Sequence, residues 1–238
     1  MKALDQLQVK IFADGADLEG ILELYRNPHI QGFTTNPTLM HKSGIADYED
    51  FSRELLRHIS DRPISFEVFS DEFSQMERQA RKIAAWGGNV YVKIPITNTK
   101  RESSLALVNR LAQDGIQLNV TALLTLEQVE AASIALGNQA PSYISVFAGR
   151  IADTGRDPVP MMKEAVEVMA PHSKQELIWA SPRELLNIFE ADKIGCHVIT
   201  VTHEILKKLS LVGKDLDDYS LDTVKMFHED AKKAGFRL

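Results

Sequence analysis

Phe12-Ala13-Asp14-Gly15-Ala16-Asp17 follows the first extended run of the chain, residues 9–13, and its composition separates two parallel-sheet architectures. An open doubly wound sheet that binds a dinucleotide needs a glycine-rich turn here, so that backbone can approach a pyrophosphate. This turn offers a single glycine between carboxylates instead. In a closed barrel the functional groups stand at the carboxyl ends of the strands, and a carboxylate at that place is useful.

Working outward, short apolar or β-branched runs alternate with longer amphipathic ones along the whole chain. The extended runs are 9–13, 30–34, 64–68, 90–94, 117–121, 143–147, 176–180 and 196–201. Helical patterns cover 18–25, 48–59, 73–86, 103–113, 126–136, 160–169, 183–189 and 204–209. A further helix is expected near 221–234, within about 220–235, carrying Leu221, Val224, Phe227 and Ala231 at helical spacing. Units of about 30 residues match the βαβ repeat, so the expected fold is an α/β (β/α)8 TIM barrel with an additional C-terminal helix. No linker or low-complexity segment interrupts it, and residues 1–238 are read as one domain. Asp71 is expected to cap the third long helix, and Ser181-Pro182-Arg183-Glu184 reads as a capping serine, first-turn proline and capping-box glutamate.

The 238 residues are 44% hydrophobic and 25% charged, enough apolar side chain for a core and too ordinary for disorder. A formal charge of −6 opposes nucleic acid and anionic membrane, so an anionic substrate needs a local pocket of positive charge. The single cysteine, Cys196, sits in an apolar run and reads as a buried small side chain in a reducing compartment. The first fifteen residues lack the apolar stretch of a secretory leader, and no run is long enough to cross a membrane. A cytoplasmic protein is expected.

The polar residues at the ends of the extended runs give a candidate site. Lys93 is embedded in Val90-Tyr91-Val92-Lys93-Ile94-Pro95, and alternation puts it on the face opposite Val90, Val92 and Ile94, pointing into the barrel. Such an interior strips water from an ammonium and favours the neutral amine, which can attack a carbonyl and form a Schiff base. The alternative is a lysine reaching along the strand to solvent. Asp14 and Glu67 suit the proton transfers of that chemistry. Asp14 otherwise reads as a turn or helix cap, whereas Glu67, between Phe66 and Val68, is costly unless paired.

Asn36, Asn119 and Thr121 can bond sugar hydroxyls or orient a water, although Thr34-Thr35-Asn36-Pro37 also reads as a plain strand exit with an extended Asn36. The sixth run contributes Ser145. Arg150, in Phe147-Ala148-Gly149-Arg150-Ile151, and Arg183 beside Ser181 read as an anion site, one unit earlier than is usual in this fold. The alternatives are a solvated Arg183 and an ion pair from Arg150 to Asp153 or Asp157. The seven histidines show no metal-binding spacing, and His203 alone could face the pocket. No metal and no cofactor are expected.

Thr34-Thr35-Asn36-Pro37, Val92-Lys93-Ile94-Pro95, Asn119-Val120-Thr121 and Phe147-Ala148-Gly149-Arg150-Ile151 together resemble the transaldolase family, including its short-chain members and the fructose-6-phosphate aldolases. The resemblance runs from about residue 10 to 202. It implies a Schiff-base Lys93, Asp14 as acid/base for C–C cleavage, and Glu67 with Thr121 holding the catalytic water. Asn36 and Asn119 would bind the dihydroxyacetone unit, with Thr34 and Ser145 nearby, and Arg150, Ser181 and Arg183 a phosphate. Glu67 and Phe147 are similar to the transaldolase branch, where the aldolase branch tends to carry glutamine and tyrosine.

The expected activity is transfer of dihydroxyacetone from a ketose phosphate to an aldose, within pentose phosphate metabolism. The alternatives are an aldolase-type lyase, a transaldolase for a modified (for example sulfonated) sugar, or a non-catalytic sugar-phosphate-binding barrel. Val146, Pro182, His203 and the stretch 97–102 depart from the family pattern. Short members resemble ring-forming oligomers that lend the tail helix to a neighbour, so a homo-oligomer is expected.

Overall fold

The computed structural model describes residues 3–237. Eight parallel strands close in sequence order into a barrel: β1 (Lys10–Asp14), β2 (Ile30–Thr34), β3 (Ile64–Glu67), β4 (Val90–Pro95), β5 (Leu118–Leu123), β6 (Ser142–Val146), β7 (Gln175–Trp179) and β8 (Val198–Thr202), with β8 pairing back onto β1. The helices are α1 (Leu18–Tyr25), α2 (Pro37–Lys42), α3 (Tyr48–His58), α4 (Phe73–Ala84), α5 (Leu105–Gln113), α6 (Leu126–Leu136), α7 (Ala148–Ala152), α8 (Val159–Met169), α9 (Leu186–Lys193), α10 (His203–Leu206) and α11 (Leu216–Ala234). This is the (β/α)8 barrel with a C-terminal helix that the alternation predicts.

Period-two alternation divides the apolar residues into two bodies. Outward residues such as Phe66, Val92, Ile94, Val120, Ile199 and Val201 pack against the helices in the main core. Removing a Val, Leu, Ile or Phe side chain of this kind from water contributes about 1.5–3 kcal/mol. Inward residues Phe12, Tyr143, Ile178 and Val198 form a second cluster with Tyr91 and Phe147. Phe12 meets Tyr143 edge-on at 5.6 Å, and Tyr91 lies 4.4 Å from Tyr143 between ring centroids. Gly32 admits this plug, since a Cβ there would stand 2.6 Å from the Phe12 ring. The N-terminal end of the barrel is filled by rings, and the polar inward residues gather at the other end.

Several local expectations are corrected. Ser181 does not cap a helix: it has φ of 59°, and α9 begins only at Leu186. Pro182 disfavours a helical residue before it, and the Arg183 and Glu184 N–H groups donate instead to Asn187 Oδ1. Asp71 does not cap α4, whose N-cap is Glu72; its carboxylate accepts from Thr99 N–H and Oγ1. The last helix starts at Leu216, where Asp215 accepts from the Asp217 and Asp218 N–H groups. The expected strand exit at Asn36 is extended, with φ −155° and ψ 158°, and also caps α2 by accepting from Leu39 N–H at 3.0 Å.

Candidate active site

A cavity of about 810 Å³ opens at the carboxyl ends of the strands and is lined by Asp14, Thr34, Asn36, Glu67, Lys93, Thr121, Ser145, Phe147, Arg150, Ser181 and Arg183. Of the residues expected at the site, only Asn119 is outside this lining. It is fully buried one inward position before Thr121, donating to Ser65 Oγ at 3.0 Å and accepting from Ser145 Oγ at 2.7 Å. Its amide therefore fixes Ser145 from beneath. His203 is not on the cavity wall; it lies beside the start of α1, near Asp17 and Gly20.

Lys93 points inward and is 5% exposed. Its Nζ lies 3.1 Å from Glu67 Oε2 and donates to the Thr35 carbonyl at 3.2 Å. The pairing of Glu67 with Lys93 across adjacent strands is what lets an apolar strand carry each charge. Asp14 is no turn or cap, since Asp17 accepts from Gly20 N–H at the start of α1. Asp14 Oδ1 instead accepts from Thr34 Oγ1 at 2.8 Å inside the barrel. Burial raises the Asp14 carboxyl above its ordinary value, against the Lys93 charge and the Thr34 hydrogen bond, with the Glu67 charge adding to the rise. Thr121 Oγ1 is buried with no hydrogen-bond partner among the described residues. A hydroxyl left so beside a cavity fits a site that holds water or a substrate oxygen.

The residues expected to hold an anion stand on α7 and the loop after β7. Gly149 makes the approach, for a Cβ there would lie 1.6 Å from the Ser181 carbonyl oxygen. Arg183 Nε donates to Asp153 Oδ1 at 2.8 Å, Nη2 reaches the other carboxylate oxygen, and Nη1 donates to the Ser181 carbonyl. The Arg183 guanidinium beside Asp153 holds that carboxyl below its usual range. Asp153 is thus taken by Arg183, while Arg150 lies over the Phe147 ring, 5.1 Å from its centroid.

Asp153, expected only as a partner of Arg150, lines the cavity too, and so do Lys42 and Thr200, which the sequence does not single out. Thr200 could have been found, because Val198-Ile199-Thr200-Val201-Thr202 puts it on the inward face. Lys42 lies on α2, too short to show a periodic pattern, and its place depends on how the chain turns after Asn36.

Residues 11–238 match the Transaldolase/Fructose-6-phosphate aldolase family. The chain belongs to it. A "Probable transaldolase" of Thermoanaerobacter sp. (strain X514) is 34% identical over 231 residues, covering 97% of this chain and 100% of the relative. Another, from Streptococcus agalactiae serotype V, is 34% identical over 226 residues, covering 94% and 100% respectively. Among solved structures, 2,3-dimethylmalate lyase aligns with a TM-score of 0.52 at 13% identity, over 98% of this chain and 86% of that one, which speaks to the barrel alone. As a family member the chain is an aldolase/transaldolase enzyme. No described helix is long and apolar enough to cross a membrane.

Proposed function

We propose that this family member is a transaldolase, carrying a dihydroxyacetone unit from a ketose phosphate such as fructose 6-phosphate or sedoheptulose 7-phosphate to an aldose phosphate. The observation that carries this is the buried Lys93 amine 3.1 Å from the Glu67 carboxylate in the cavity that Asp14 also lines. Lys93 Nζ gives a proton to Glu67 and attacks the ketone carbon as the free amine, and that proton leaves with the hydroxyl as water when the protonated imine forms. Asp14 takes the proton of the hydroxyl beyond the breaking C–C bond, so that carbon departs as an aldehyde while the bonding pair moves into the imine. The resulting enamine attacks the acceptor aldehyde, Asp14 returns the proton, and water held by Glu67 and Thr121 frees the product.

Asn36, Ser145 and Thr34 line the dihydroxyacetone end, with Asn119 bracing Ser145. Arg150 and Ser181 suit the phosphate, and Arg183 joins them when the phosphate displaces Asp153 from its forked donors. Glu67 and Phe147 support transfer over simple cleavage. The reading includes a cofactor-free, cytoplasmic enzyme; the lone buried Cys196, with its thiol pushed up to about 12 by burial, fits a reducing compartment.

The test is intact mass spectrometry after borohydride reduction with fructose 6-phosphate. A three-carbon adduct on wild type and none on Lys93→Ala is the expected result; no adduct with any ketose phosphate would defeat the proposal. Erythrose 4-phosphate should convert the bound unit to sedoheptulose 7-phosphate. Equal free dihydroxyacetone with and without the acceptor would favour the aldolase instead.

A further inference from the structure

We propose that Thr200 is a positioning residue for the acid/base step, its hydroxyl setting the direction of the Thr34 hydrogen bond and so keeping Asp14 Oδ1 an acceptor. The inference rests on the role of Asp14 given above. Thr200 lies on β8 at an inward position, while its neighbours Ile199 and Val201 belong to the helix-facing core. It is 6% exposed and Thr34 is 2% exposed, so both hydroxyls must find partners within the barrel.

Counting hydrogens sets the direction. Each threonine hydroxyl has one to give. Thr34 Oγ1 gives its hydrogen to Asp14 Oδ1 across 2.8 Å. The 2.5 Å contact between Thr34 Oγ1 and Thr200 Oγ1 must then take its hydrogen from Thr200. The chain runs from Thr200 to Thr34 to Asp14, and each bond polarises the next. A proton on Oδ1 would reverse both bonds and turn the Thr200 hydrogen into the cavity, which Thr200 lines. The intact chain therefore directs proton exchange with substrate to Oδ2. The charged groups that face Asp14 are Lys93 from β4 and Glu67 from β3, and they act on the carboxylate as a whole.

The experiment follows the Asp14 carboxyl by carbon NMR in full-length protein labelled at aspartate carboxyls, the signal being assigned by its loss in Asp14→Asn. Thr200→Val keeps the side-chain shape without the hydroxyl. It should raise the Asp14 titration midpoint by about half a pH unit, the size expected on weakening one hydrogen bond. Thr34→Val should raise it further, and Thr200→Ser should restore the wild-type value. The matching limb of the kcat profile should move with it, KM staying unchanged. A wild-type midpoint in Thr200→Val, or no restoration by Thr200→Ser, would overturn the assignment. The titration needs no turnover; full kcat in Asp14→Asn would instead sink the acid/base reading and leave the hydrogen-bond chain standing.

Discussion

Glu67 stands where the β2–β3 ladder has already ended, for that ladder pairs only Phe33 with Ile64 and Thr34 with Ser65. The Tyr48 hydroxyl of α3 fills the gap, accepting from the Glu67 N–H at 2.7 Å and donating to its carbonyl at 2.8 Å. Tyr48→Phe leaves that N–H unpaired at a cost of about 1–3 kcal/mol. The melting midpoint should fall by several degrees, about 2–4 °C per kcal/mol for a chain of this size. Differential scanning calorimetry checks this; an unchanged midpoint would show that the hydroxyl is dispensable. Asp14 carries a prediction of opposite sign. A carboxyl raised in the fold lends stability below its unfolded value and loses it as pH rises through the folded one. Asp14 is such a group, so its charge costs stability at neutral pH. Asp14→Asn should lose kcat yet resist urea better than wild type at neutral pH, with the gap closing as pH falls through the folded value. Lys93 and Glu67 were legible because a charge inside an apolar alternation demands a partner. Thr200 gave a weaker signal, since threonine suits any strand, and nothing in the spacing of a helix reveals that Tyr48 reaches a strand's backbone.

The elements with a long apolar stripe were readable, and α1 and α6 fall at their expected limits. Short ones were not: α2 and α7 have six and five residues, too few to establish a period. The loop after β7 misled for another reason. Ser-Pro-Arg-Glu has the composition of a helix start, but the close approach of Gly149 pins Ser181 in a left-handed conformation, where it orients Arg183. Gly149→Ala must therefore displace the Ser181 backbone. With the proposed phosphate site so disturbed, KM for a phosphorylated ketose should rise on the order of tenfold, a loss of about 1.4 kcal/mol. Steady-state kinetics with phosphorylated and unphosphorylated ketoses separates this from general damage, because only the phosphorylated substrate should be affected strongly.

At the scale of the molecule, the closed barrel was the most legible feature and the environment of α11 the least. The apolar stripe of that helix could have packed on its own barrel. Instead no described residue of α11 is buried, and Leu216, Val224 and Phe227 are 80%, 59% and 62% exposed. A solitary amphipathic helix gains little in water, and we propose that this bare apolar face is a contact surface. A second copy of the chain is the partner expected from the sequence. Truncation after Lys214 should lower the particle mass in light scattering while leaving the barrel folded by circular dichroism; an unchanged mass would remove α11 from any assembly. The aromatic plug around Phe12 carries a different consequence, for kinetics. Its rings fill the amino-terminal end of the barrel, beneath the cavity. In the proposed transfer the first aldehyde would then leave by the mouth the second uses to enter, so turnover should follow double-displacement kinetics, with parallel reciprocal plots and the two aldehydes competing for one form of the enzyme.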